Sequence, residues 1–138
     1  SVYEQNNFGD WVKVNDPFLR DSEASHFRFG RSVDIDGNLA CVGDPDEIHL
    51  FRRDSTKWVQ FDRVNLNNPT CSVAGDTIAV EGRKLNWEIF LQLYTYDADL
   101  GGVVPLQEPL SGHVARMTLS NDFLAFSTWH DGVYVYRR

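Results

Sequence analysis

Long apolar runs are missing from this 138-residue sequence, and so is any stretch of sustained helical periodicity. The longest apolar runs are a handful of residues, so no transmembrane helix and no membrane insertion are expected. The opening residues, Ser1-Val2-Tyr3-Glu4-Gln5-Asn6-Asn7, do not read as a signal peptide. Basic charge is also scarce. Thirteen Lys plus Arg against twenty Asp plus Glu leave a net charge of -7, which argues against sequence-independent binding to nucleic acid or anionic membranes. Cysteine is limited to Cys41 and Cys71, too few for a disulfide framework and without metal-ligand spacing. Both sit in small-apolar strand positions and read as buried free thiols; a bridge would require their strands to be neighbours. The four histidines, His26, His49, His113 and His130, never stand at i, i+2 or i, i+4 spacing, so no metal site is expected.

What is present is β-structure. Runs of four to seven β-branched and aromatic residues, punctuated by Gly, Asp, Asn and Pro, fill the chain. Ser32-Val33-Asp34-Ile35-Asp36 alternates, Asp36-Gly37-Asn38 is a tight turn, and Leu39 to Val42 is a small-apolar strand, which together make a hairpin. The hairpin recurs. Ile35 to Val42 aligns with Val73 to Val80 at an offset of 38, and then with Leu119 to Phe126 after a further 46. Each copy places a small residue third in its second strand: Cys41, Ala79, Ala125. Third strands follow at Ile48 to Arg53, Leu93 to Asp97 and Val133 to Arg138. A fourth strand is plain at Trp58 to Val64 and at Val103 to Gln107. The third copy has none, whereas Trp11-Val12-Lys13-Val14-Asn15 matches Trp58-Val59-Gln60-Phe61-Asp62. Ser1 to Glu4 also looks like a third strand.

With Phe29-Gly30 and Val42-Gly43-Asp44-Pro45 at its ends, the first copy resembles the FG-GAP repeat, the blade unit of integrin-type β-propellers. The resemblance implies an all-β fold of three four-stranded antiparallel propeller-type blades at residues 27–66, 69–110 and 113–138. Residues 1–18 would supply the strand or strands that complete the last blade, in cis or in a partner chain. Three blades are too few for a comfortable ring. A homodimer forming a six-bladed ring is therefore expected, with flanking sequence, another protein partner or a compact three-sheet prism as alternatives. The resemblance leans towards an extracellular or cell-surface setting. The family's calcium loops are not carried over, because Asp34 and Asp36 read as solvated carboxylates on one strand face and so short a turn offers few oxygens.

Candidate ligand-binding residues lie in the loops between second and third strands: Arg83, Trp87, Trp129, His130 and Asp131. Aromatic rings beside charged groups suit a protein hot spot or sugar stacking. Covering the gaps between sheets would equally explain Trp87 and Trp129. No serine sits in a nucleophile-elbow setting, and no carboxylate pair has a defined geometry. A non-catalytic interaction or structural module without cofactor or metal is expected, with a glycan-binding lectin as the alternative and a hub-sited hydrolase behind it.

Overall fold

A computed structural model describes residues 3–13, 29–55, 57–83, 89–111, 114–128 and 132–137. The chain is all-β and antiparallel throughout the described residues, in four sheets. An N-terminal hairpin joins β1 (Tyr3–Gln5) to β2 (Trp11–Lys13). The first large sheet is a simple meander of β3 (Ser32–Asp36), β4 (Leu39–Gly43), β5 (Glu47–Asp54) and β6 (Lys57–Asn65). The second repeats it with β7 (Asn67–Ala74), β8 (Thr77–Arg83), β9 (Ile89–Asp97) and β10 (Gly102–Pro105); β11 (Leu110–Ser111) resumes along the same edge of β9. Pro105 and Pro109, which carry no N–H for a ladder, flank that break. The third sheet orders β12 (Val114–Leu119), β13 (Phe123–Thr128) and β14 (Val133–Arg137). Gly37 and Gly75 turn the first hairpins of the first two sheets with φ of 54° and 59°, a region open to glycine at no steric cost.

The sheets stack in chain order. Strand alternation turns Leu39, Cys41, Ile48 and Leu50 of the first sheet onto Cys71, Val73, Ile78 and Val80 of the second. The opposite face of the second sheet presents Ala79, Ile89 and Leu91 to Val114, Leu124 and Phe126 of the third. Each fully buried aliphatic side chain contributes about 1.5–3 kcal/mol, so these two seams hold the sheets together.

Polar side chains stitch the first seam. From β3, Ser32 Oγ accepts the Cys71 N–H at 3.1 Å, Asp34 Oδ2 the Val73 N–H at 2.8 Å, and Asp36 Oδ2 the Gly75 N–H at 2.8 Å. The Cys71 and Val73 amides lie on the edge of β7 turned away from β8, with Gly75 in the turn just beyond, and side chains of another sheet satisfy them. Ser72 Oγ–H also donates to Asp34 Oδ2 at 2.8 Å and accepts the Leu119 N–H at 3.2 Å, which carries the pattern on to the third sheet. Arg52 Nη1 donates to the Tyr96 hydroxyl and its guanidinium lies 5.4 Å from that ring. One residue along, on the opposite face of β5, Arg53 pairs with Glu4 at 2.7 Å.

Four expectations change. Cys41 and Cys71 are bonded as a disulfide rather than free, because the first seam brings β4 and β7 together with their Cα atoms 6.3 Å apart. Asp34 is a half-buried seam acceptor rather than a solvated carboxylate, and Asp36, though exposed as expected, also accepts an N–H across the seam. There are four sheets instead of three, because the N-terminal residues make a hairpin of their own. Within one chain β2 pairs with β1, not β14, and Glu4 of that hairpin reaches Arg53 of the first sheet.

Candidate functional site

The loop from β4 to β5 is built on Asp44. Its Oδ1 accepts the N–H groups of Asp46 and Glu47, each at 2.8 Å, which closes the turn. Its Oδ2 lies 3.1 Å from His49 Nε2, and Glu47 Oε1 lies 3.4 Å from the same nitrogen. Arg63 approaches Glu47 at 3.6 Å from β6. Asp44 and His49 are both buried. Phe29 meets the imidazole edge-on at 5.2 Å, with Phe51 at 6.5 Å. Burial alone would raise the Asp44 pKa; the N–H of Asp46, the His49 ring and the N–H of Glu47 outweigh it and hold the carboxyl below its ordinary range. One imidazole nitrogen and two carboxylates within 4.8 Å of one another could hold a divalent cation. Three donors are half of what a hard cation takes, however, and Asp44 is already spent on the turn and on His49. The geometry is that of a buried latch on the loop.

Arg83 closes β8 with its side chain exposed. Next to it, burial raises the pKa of Glu81 above the ordinary value, against the Thr70 hydroxyl and the Arg83 charge. Trp87, Trp129, His130 and Asp131 lie outside the described residues, so only Arg83 of the five predicted residues is placed. The Asp44–His49 latch escaped sequence reasoning. Its one signal is a histidine between two core positions, Ile48 and Leu50, three residues beyond a turn rich in carboxylates.

A second feature is a cleft of about 290 Å³ between the second and third sheets. Leu93, Leu106, Leu110, Leu124 and Tyr136 line it, with Gln107 and Arg137 at the rim. Gln92 Nε2 donates to the Gln107 carbonyl at 2.6 Å and so ties down the break between β10 and β11 that forms one wall. The cleft borders β14, whose residues are exposed throughout and whose second edge pairs with no strand among the described residues.

Comparison with protein-family models returns no match, and comparison with curated proteins returns none either.

Proposed function

We propose that the chain is a non-catalytic, propeller-type interaction module. Its sheets act as blades resembling FG-GAP repeats and hold the loops between second and third strands on one face for a protein partner. Unpaired edges drive assembly, and a second copy completing a six-bladed ring is the first partner to test. The observation that carries the reading is the repetition of two cross-sheet contacts, one between third strands and one between first strands. Glu4 meets Arg53 from the hairpin to the first sheet, and Arg52 meets Tyr96 from the first to the second. The first-strand contact Asp34 to Val73 recurs as Ser72 to Leu119. A contact that advances by one sheet each time is how radially repeated blades pack. On this reading β2 is the fourth strand of a preceding blade, and β1 stands within one chain where that blade's third strand belongs. The Cys41–Cys71 disulfide supports an oxidising compartment, in keeping with an extracellular setting.

The test is a panel of chromogenic glycosides, esters and phosphates run beside a glycan array. The expected result is no turnover, and no glycan capture that Trp87→Ala or Trp129→Ala removes. Turnover abolished by one carboxylate substitution would overturn the reading in favour of an enzyme. Capture lost in the Trp variants would make the module a lectin.

A further inference from the structure

The open edge of β14 and the cleft beside it have the form of an unfilled strand position. Register makes the first and third sheets comparable residue by residue. In the first, Ala40 faces Phe51 and Val42 faces His49; in the third, Leu124 faces Tyr136 and Phe126 faces Tyr134. The first sheet has a fourth strand, β6, which sets Trp58 opposite Arg53 and buries it in a cluster with Ala40, Val42 and Phe51. At the corresponding place beside Leu124 and Tyr136 the third sheet has the apolar cleft. The main chain matches. The Thr128 N–H donates to the Gly132 carbonyl at 2.9 Å, and this fixes the ladder so that Tyr134 and Tyr136 bond to β13 while the amides of Val133, Val135 and Arg137 point to the open edge. Val133 and Val135 stand 74% and 64% exposed on one face. Such an edge is a template for another strand.

The chain carries a strand that fits. Trp11 stands opposite Gln5 as Trp58 stands opposite Arg53, and a valine follows each. Yet Trp58 is 7% exposed and Trp11 69%. We propose that β2 of a second copy of this chain pairs with β14 and seats Trp11 in the cleft between the second and third sheets. β1, which pairs with β2 over three residues, gives way to β14, which offers five. Fifteen residues, 14–28, join β2 to Phe29, which lies three residues ahead of β3, a reach of up to about 50 Å. Each chain gives one strand and receives one, so the contact closes as a twofold dimer. This inference rests on the propeller-type reading, which is what gives every sheet a fourth strand. With β2 kept over its own first sheet, the partner's Arg137 replaces Glu4 opposite Arg53, so the exchange puts like charges together and tightens as salt screens them.

Light scattering across a dilution series at low and high salt tests the exchange, with amide hydrogen exchange read on the same samples. The wild type is expected to reach twice the 15.8 kDa chain mass, more tightly at high salt, with Val133, Val135 and Arg137 amides gaining protection on concentration. Trp11→Ala should weaken the dimer by about thirtyfold or more, as for a buried aromatic anchor, and Trp11→Phe should recover part of that. Val135→Pro removes an edge amide that no ladder among the described residues uses, and should abolish the dimer while the far-ultraviolet spectrum stays that of the wild type. A folded wild type that stays monomeric, or a dimer indifferent to both Trp11→Ala and Val135→Pro, overturns the inference. Neither result touches the stacking of sheets within the chain, which the protection of the Val73 and Leu119 amides reports separately.

Discussion

Replacing Asp34 by alanine should loosen the seam between the first two sheets more than any other single change on β3. Asp34 Oδ2 accepts from both Ser72 Oγ–H and Val73 N–H, and its Oδ1 accepts the Ile35 N–H at 2.9 Å. Val73 is 5% exposed, so its amide finds no water once the carboxylate is gone. An orphaned buried donor costs about 1–3 kcal/mol, and a hydrogen bond to a charged group is worth about 1.5–3 kcal/mol. Because Asp34 is only half-buried and Ser72 can turn its hydroxyl elsewhere, the two effects overlap, and a loss of about 2–4 kcal/mol is expected. Equilibrium urea unfolding gives the number directly. Asp34→Asn keeps one acceptor and should lose clearly less. In a cycle with Ser72→Ala, the two losses should fall short of additivity by more than about 0.5 kcal/mol, as for residues sharing one network. An Asp34→Ala loss within about 0.5 kcal/mol, the range of an ordinary surface substitution, would refute the argument that this carboxylate joins the sheets.

Reducing the Cys41–Cys71 bond, which closes a sequence separation of 30, should cost about 3–4 kcal/mol by chain entropy; a midpoint unchanged by reductant would contradict it. The Asp44 pKa is lowered on folding, so its stabilisation is present above the unfolded carboxylate value and is lost as pH falls through the lower folded one. Asp44→Asn should therefore flatten the acid limb of the stability curve, and a limb of unchanged slope would remove Asp44 from the account. Glu81 has the opposite sign: burial raises its pKa, so stability falls as pH rises from the unfolded carboxylate value to the higher folded one and stays reduced above it, and Glu81→Gln should raise the melting temperature at neutral pH. A Cβ on Gly82 would lie 2.9 Å from Leu66 Cβ, so Gly82→Ala should destabilise by about 1–3 kcal/mol through overpacking, read by the same urea titration.

The hairpins were legible because turn chemistry and alternation are local. Asp36-Gly37-Asn38 and Gly75-Asp76 turn where the pattern places them, and the repeat offsets bring out equivalent strands in all three large sheets. The Trp58 strand follows for the same reason. What lay hidden depends on neighbours far along the chain. Ser32, Asp34 and Asp36 have the spacing of a solvated face, and only the arrival of β7 makes them acceptors for Cys71, Val73 and Gly75. The disulfide needed the same seam. His49 occupies a core slot that alternation alone assigns to an apolar residue, and its partner Asp44 reads locally as part of a turn. The two N-terminal strands were legible as well, since Trp11 matches Trp58 and Ser1 to Glu4 reads as a third strand; that they pair with each other and not with β14 depends on contacts the local pattern does not carry.

Main-chain donors of one sheet meet side chains of the one before, and this stacks the sheets in chain order. Residue-resolved amide exchange at Val73 and Leu119 measures this most directly, because neither N–H is used within its own sheet and each is held by a residue of the preceding one, Asp34 or Ser72. Both amides should exchange slowly, near the rate of the interior ladder amides of β8, and the Val73 amide should become fast in Asp34→Ala. Exchange of both at the rate of a solvent-exposed strand edge in the wild type would contradict the stack.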